Sequence, residues 1–442
     1  MIPKLNLLGG IMTISTKKRN FYICMLLILL VQIFYYSNVI LGQTYSDSNS
    51  YINWEPELCF RMFLYPLIID FWQIIFPEYF SLGIVLTQII ISYLSLIFLY
   101  KTLCILEKGE TNLALVILLF YGCSPAIISW NTIILSESLT LSLTVFFIYF
   151  TVRWLTYFEN RSAIGIVVTC FLATMTKTAF FVYGIAIICL ALLVLLCNKE
   201  KKKQTIFLLT LSVLLLLSFL IQCTYNYIHC GLFSMSYLSS RHSLVHALRT
   251  GLYLNHPDKQ LVSVIDTIYT DNDYSLGYNT TSAVMALFGE SWKEQNIGTS
   301  SFAKECLMTG PFQYFCDLAQ NMVFACVRKF DHDYSAFTYT SSFSKAGINL
   351  LGLIFNPVRI GYGIILSLFG IFLSIKQWLK QRKCPFILLG TSCGLILVPI
   401  STIAGAYSEW TRLMIYMLPF VYVLAVMLLR PVLNTILFKL KK

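Results

Sequence analysis

The chain of 442 residues is 57% hydrophobic and only 12% charged, with a formal net charge of +11. About a quarter of the residues of a soluble domain are charged, so this composition excludes an ordinary water-soluble globular protein. Apolar runs of about 20 residues recur along the chain, the length at which an α-helix crosses about 30 Å of hydrocarbon. The sequence therefore predicts an all-α protein, a polytopic transmembrane helical bundle.

The apolar runs predict about ten membrane spans. In chain order they are 21–42, 81–100, 112–129, 139–157, 162–176, 178–197, 205–222, 351–375, 385–404 and 412–429. The first run is too long for the apolar core of a cleavable signal, and no small-x-small site ends it. We therefore expect it to be a membrane span.

The distribution of charge along the chain predicts its orientation. Lys and Arg are concentrated in the segments that lie on the same side of the membrane as the N-terminus. Asp and Glu prevail in the longer segments on the opposite side. The positive-inside rule then places both termini in the cytoplasm, with the bacterial inner membrane or an equivalent membrane as the location. The net positive charge of the chain is explained by this orientation, and no nucleic-acid partner is expected.

The spans divide the chain into three predicted regions. These are a seven-span module of the catalytic type at 1–222, a mainly helical extracytoplasmic region at 223–350 and a three-span region at 351–442. Arg61, Pro66 and Asp70 interrupt the apolar stretch 58–77, which we interpret as helix lying in the interface within the first outer loop. Within the long outer region, the amphipathic pattern of residues 302–329 predicts a pair of helices separated by a break at Gly310-Pro311.

Four charged residues from distant parts of the chain stand at the same membrane boundary. Asp47 follows the first span, Glu137 opens the fourth, Lys177 separates the fifth and sixth, and Arg412 opens the tenth. The fifth span is short, roughly 22 Å, so Lys177 is predicted to lie below the outer surface. Charges at this depth are costly unless they are paired or line a wet cavity. We therefore expect these side chains to form one polar site.

Each of these residues also has a plainer interpretation. Asp47 can be a solvated loop residue, and Glu137 a carboxylate at a helix start, where the helix dipole favours it. Lys177 can reach lipid phosphates, and Arg412 can pair with Glu409 one turn earlier. Convergence is favoured because all four share one side and one depth.

Short motifs carry a resemblance to a known superfamily. They are "SDSNSY" with Asp47, "ILSESLTL" with Glu137, "TKTAFF" with Lys177, "LMTGPFQYF" in the long outer region and "SEWTRLMIYMLPFVYVL" with Arg412. This layout resembles the integral-membrane GT-C glycosyltransferases, most closely the branch of protein mannosyltransferases and aminoarabinose transferases. The chain departs from the family at Ser48, where a second acid is frequent, and at Thr178, where proline is frequent.

The resemblance implies transfer of a sugar from a polyprenyl-phosphate donor to an acceptor at the extracytoplasmic face, with inversion. Asp47 and Glu137 would be catalytic, and Lys177 and Arg412 would bind the donor phosphate. Because Ser48 follows Asp47, the choice of base stays open between Asp47, Glu55 and Glu57. The further candidate site residues are Tyr51, Glu55, Glu57, Arg61 and Glu409.

The expected partners are the polyprenyl-phosphate-linked sugar donor, membrane lipid and an acceptor that the sequence does not specify. No cofactor is expected to be required. A divalent cation shared by Asp47 and Glu137 is not favoured, since two carboxylates from separate loops are few ligands, and we predict no metal site.

Two other functions remain as alternatives, a transporter or flippase of lipid-linked sugars and an envelope-glycan polymerase. The spans carry almost no charge at mid-depth, unlike the pathways of transporters.

Overall fold

The structure, a computed structural model, describes residues 5–45, 47–58, 60–109, 111–271, 277–330, 339–356, 358–405 and 410–440. Side chains are described in these ranges except at 5–15, 17, 57, 278, 405, 410–411 and 432–440. Within them no β-strand forms, and the architecture is an all-α helical bundle, as the sequence predicted.

The α-helices, in chain order, are α1 Leu5–Ser37, α2 Asn49–Ile52, α3 Leu64–Ile75, α4 Phe80–Glu107, α5 Asn112–Gly122, α6 Pro125–Ile128, α7 Glu137–Tyr157, α8 Asn160–Thr174, α9 Phe181–Cys197, α10 Lys202–Cys230, α11 Leu238–Arg249, α12 Lys259–Asp271, α13 Tyr278–Ala286, α14 Trp292–Thr309, α15 Pro311–Val327, α16 Ser342–Phe355, α17 Ile360–Gln381, α18 Phe386–Gly405, α19 Trp410–Leu413 and α20 Leu418–Leu440. Short 3-10 turns occur at Pro56–Leu58, Pro77–Tyr79, Ser129–Thr132, Thr178–Phe180, Lys199–Lys201, Leu252–Asn255 and Ile415–Met417.

Among the described residues, seven helical segments are long and apolar enough to span a membrane, so the chain is a multi-pass membrane protein. They are Lys18–Ser37, Pro77–Glu107, Glu137–Tyr157, Thr178–Cys197, Lys199–Cys230, Ile360–Gln381 and Phe386–Ala404. An eighth is counted if α5 and the segment Pro125–Thr132, which bend by 52° at their junction, form one broken span. The predicted spans 162–176 and 412–429 correspond to shorter apolar helices, so the total of ten stays a prediction.

The predicted span 351–375 has the wrong boundaries. Helix α16 ends at Phe355 and α17 begins at Ile360, so the helix is interrupted within the predicted run. The sequence carries the reason at Pro357, because a proline lacks the amide proton and disfavours helix at the residue before it. The apolar composition on both sides of the break concealed it.

Helix α7 lies at the centre of the bundle and packs against α4, α8, α18 and α20. Its sequence is rich in Ser and Thr, yet the helix is mostly buried. The hydroxyls of Thr140, Ser142 and Thr144 each donate to the carbonyl four residues earlier, so their polarity is satisfied within the helix. The N-terminus of this buried helix is Glu137.

A helix forms in the first loop where the sequence predicted one, at Leu64–Ile75. The indole of Trp72 donates to Thr87 Oγ1 at 3.0 Å, and its ring lies directly on Gly83 of α4. The position of helix α3 in the membrane interface remains a prediction. The contact fixes α3, and with it the segment that precedes it, against α4.

Helices α11 to α14, here called the α11–α14 unit, bury a core of their own that includes Leu244, Tyr253, Ile265 and Phe302. The predicted break between helices in this region is confirmed, since α14 ends at Thr309 and α15 begins at Pro311.

The α11–α14 unit, together with the turn that leads into α11, also holds the segment before α3. The indole of Trp292 donates to the Leu58 carbonyl at 3.3 Å, the hydroxyl of Ser236 donates to the Phe60 carbonyl at 3.3 Å, and the rings of Tyr237 and Phe60 lie 4.7 Å apart. This unit therefore positions the residue that follows Phe60, which is Arg61.

Candidate functional site

The segment after α1 is folded onto the turn before α7. The amides of Gly42 and Gln43 donate to the Thr132 carbonyl, and the Gln43 carbonyl accepts from the Ile134 amide. The buried hydroxyl of Ser48 accepts from the Tyr45 amide and donates to the Ile134 carbonyl. These bonds place Asp47 beside the N-terminus of α7.

Five charged side chains form one continuous chain of ion pairs there, here called the charge cluster. Its members are Arg61, Asp47, Arg412, Glu137 and Lys177. Asp47 binds Arg61 Nη2 through Oδ1 at 3.1 Å and Arg412 Nη2 through Oδ2 at 2.5 Å. Glu137 Oε1 lies 3.2 Å from Arg412 Nε and 3.3 Å from Lys177 Nζ. Arg412 thus bridges the two carboxylates.

Lys177 and Arg412 are each held by local backbone structure and by an aromatic ring. Lys177 lies in the turn after α8, where its amide donates to the Ala173 carbonyl, and its ammonium group lies 5.6 Å from the centre of the Tyr416 ring. Arg412 lies in the short helix α19, and its guanidinium faces the ring of Tyr45 at 5.1 Å. Cations over aromatic faces gain electrostatic energy, so these rings help to hold both side chains in place.

Arg61 is held by two aromatic rings and a hydroxyl group, contacts that the sequence did not predict. Its guanidinium lies 4.5 Å from the centre of the Tyr51 ring and 5.0 Å from that of Phe60. Its Nε donates to Ser50 Oγ at 2.8 Å. The Tyr51 hydroxyl in turn lies 3.1 Å from Ser136 Oγ, so Tyr51 connects Arg61 to the residue that precedes Glu137.

The members of the charge cluster differ in their exposure. The side chain of Asp47 is 32% exposed, whereas those of Glu137 and Arg412 are 3% and 6% exposed. Asp47 is therefore the carboxylate that a molecule from outside can reach.

The arginines determine the acidity of Asp47. Burial alone would raise the pKa of its carboxyl, but the charges of Arg61 and Arg412 and their hydrogen bonds outweigh burial and hold this pKa below its ordinary value. Asp47 is consequently ionised at neutral pH.

The structure brings Asp47, Glu137, Lys177 and Arg412 together, as the sequence led us to expect, and adds Tyr51 and Arg61 from the wider candidate set. Glu55 is exposed and makes no ion pair with the charge cluster among the described residues. The side chain of Glu57 and the whole of Glu409 lie outside the described residues, so the alternative interpretation in which Arg412 pairs with Glu409 is left open.

One residue near the charge cluster was missed. Helix α11 places His242 within electrostatic reach of Arg61 and Asp47. Burial and the neighbouring His246, Arg241 and Arg61 lower the pKa of His242 to about 4, so the imidazole is neutral at pH 7. The sequence feature that could have drawn attention to His242 is its spacing from His246, since residues four apart lie on one face of a helix.

The part of the chain that the structure describes contains no group of three or more His, Cys, Asp or Glu side chains that could hold a metal ion. The expectation of no metal site therefore stays a prediction.

Neither family models nor curated proteins give a match to this chain. Among solved structures it is similar to the oligosaccharyltransferase AglB from Archaeoglobus fulgidus. In complex with an inhibitory peptide and a dolichol-phosphate, AglB matches with 11% identity and a TM-score of 0.46, over 93% of this chain and 50% of AglB. An Archaeoglobus fulgidus oligosaccharyltransferase in complex with Zn and sulfate matches with 12% identity and a TM-score of 0.46, over 94% of this chain and 50% of that oligosaccharyltransferase.

This chain spans about half the length of these oligosaccharyltransferases.

Proposed function

We propose that this protein is a glycosyltransferase that moves a sugar from a polyprenyl-phosphate donor to an acceptor at the extracytoplasmic membrane face. The observation that carries this proposal is the charge cluster itself. It joins three cations to two carboxylates at one end of an apolar helical bundle. The neutral imidazole of His242 adds no charge, so the excess of one cation favours an anionic ligand.

The charge cluster supplies the groups that a direct displacement needs. Asp47 takes the proton of an acceptor hydroxyl while that oxygen attacks the anomeric carbon of the sugar. The bond between this carbon and the phosphate oxygen breaks, and its electron pair leaves with the lipid phosphate. The phosphate gains negative charge, which Lys177, Arg412 and Arg61 stabilise. A single displacement of this kind inverts the anomeric configuration.

Glu137 is proposed to organise the cations. Its Oε1 is close to both Lys177 and Arg412, and its side chain is the most deeply buried of the charge cluster. A buried carboxylate between two cations holds them at a fixed separation. We infer that Glu137 positions the phosphate-binding residues and does not receive the acceptor proton.

The apolar surroundings suit a lipid-linked donor. The helices around the bundle expose many large apolar side chains, and the charge cluster lies where several spans begin or end. A polyprenyl chain can then lie along the bundle while its phosphate reaches the charge cluster.

The test is turnover of a polyprenyl-phosphate sugar in detergent, with the sugar labelled and cell-envelope extract as the source of acceptor. A glycosyltransferase releases polyprenyl phosphate in step with the sugar that reaches the acceptor. A flippase releases none, and a polymerase that uses lipid pyrophosphate leaves this donor unused. Absence of lipid phosphate release would contradict the proposal.

A further inference from the structure

The cations of the charge cluster are already engaged with carboxylates. Arg61 binds Asp47, Arg412 binds Asp47 and lies beside Glu137, and Lys177 binds Glu137. A phosphate that enters the charge cluster must therefore compete with a carboxylate for these cations.

The two carboxylates differ in what displacement would cost them. Glu137 begins the buried helix α7, and its side chain is 3% exposed, so losing its cations would leave a carboxylate uncompensated in the protein interior. Asp47 lies in a loop with 32% of its side chain exposed, so water can replace its cations. The competition therefore favours release of Asp47.

From this geometry we propose that the donor phosphate displaces Asp47 from Arg61 and Arg412, so that Asp47 becomes available to the acceptor only after the donor has bound. This inference rests on the proposed function of the same site. It adds an order of events. Arg61 and Arg412 first bind Asp47 and later bind the donor phosphate.

The geometry also explains how one carboxylate can serve as a base despite two cationic partners. In the free protein both oxygens of Asp47 are engaged with guanidinium groups. Once the phosphate takes those groups, Asp47 has lone pairs free for the acceptor hydroxyl. Loss of the two positive partners also raises the pKa of the carboxyl towards the range in which it accepts protons well.

The test is infrared difference spectroscopy of the whole protein in detergent, with farnesyl phosphate as the probe. The carboxylate stretching band changes when an arginine partner is lost. Three samples are compared, unlabelled protein, protein with isotopically labelled aspartate and protein with isotopically labelled glutamate. The expected result is a carboxylate difference band that moves only with the aspartate label. A band that moves with the glutamate label would overturn the proposal, since Glu137 would then be the displaced residue.

Two variants strengthen the assignment. Asp47→Asn should bind farnesyl phosphate about tenfold more tightly, since one charge-assisted competitor is gone, and should show no aspartate difference band. Asp271→Asn, which changes an exposed acid of α12, should retain the wild-type affinity and band.

The outcomes separate the two proposals. Saturable binding of farnesyl phosphate with no aspartate band would overturn the displacement and leave the glycosyltransferase proposal standing. Absence of binding, together with absence of donor turnover, would contradict both. The labelled wild-type protein decides between these outcomes even if Asp47→Asn fails to fold.

Discussion

The acidity of Asp47 is the residue-scale property from which the proposed chemistry follows. A base must be ionised before it can accept a proton, and the arginines around Asp47 keep it so well into the acidic range. The same pairing contributes to stability. Because the folded-state pKa is lowered, this contribution is present above the ordinary pKa of aspartate and is lost as the pH falls through the folded-state value.

Replacing Arg61 with Gln should shift the pH dependence of the reaction. The change removes one of the two charges that lower the pKa of Asp47, so this pKa should rise. The acidic limb of kcat/KM for the donor, which reports the free enzyme, should then move to higher pH. The measurement is a pH profile of both proteins, and an unmoved acidic limb would remove Asp47 from the role of base.

Replacing Glu137 with Gln should destabilise the fold by about 3 kcal/mol, because Lys177 and Arg412 lose a buried partner. Unfolding in detergent measures the effect. The matched control is Glu159→Gln, whose ion pair with Arg153 leaves 39% of each side chain exposed, and which should cost about 1 kcal/mol or less. Equal effects of the two changes would show that Glu137 is not an interior ion-pair partner.

At the scale of elements, much could be predicted from the sequence because hydrophobicity dictates where helices form in a membrane. The four charged positions were recognisable because each interrupts or ends an apolar run. The role of Arg61 was not, since the aromatic rings of Tyr51 and Phe60 and the hydroxyl of Ser50 reach it only after the loop has folded. The break before Ile360 was missed because apolar composition says nothing of helix continuity.

The contact between α3 and α4 gives a prediction at this scale. A side chain at Gly83 would overlap the ring of Trp72, so Gly83→Ala should destabilise the protein by about 1–3 kcal/mol through overpacking. Thermal unfolding in detergent measures it. Gly390→Ala is the matched control, since a methyl group there would meet Leu190 at an ordinary 3.7 Å. If Gly83→Ala unfolds no earlier than Gly390→Ala, the proposed packing of α3 is incorrect.

Across the whole molecule, the charge cluster draws on distant parts of the chain. Asp47 comes from the first loop, Glu137 from the start of α7, Lys177 from the turn after α8 and Arg412 from α19 near the end of the chain. The α11–α14 unit and the turn before it participate by hydrogen bonds to the carbonyl groups of Leu58 and Phe60. No local stretch of sequence specifies this assembly, which is why the convergence could be predicted only as a hypothesis.

Replacing Trp292 with Phe should weaken donor binding from a distance. The change removes the hydrogen bond to the Leu58 carbonyl and loosens the segment that carries Arg61. KM for the donor should rise by up to about tenfold, with little change in the stability of the membrane helices. Trp378→Phe, on the exposed face of α17, is the control and should leave KM unchanged. The same KM in both variants would argue against coupling between the α11–α14 unit and the charge cluster.

The most direct measurement of the central claim is single-turnover sugar transfer from a labelled polyprenyl-phosphate donor by the wild type and Asp47→Asn. If Asp47 is the base of a glycosyltransferase, the variant should bind the donor yet transfer the sugar at least about 100-fold more slowly. Transfer at the wild-type rate by Asp47→Asn would contradict the mechanism.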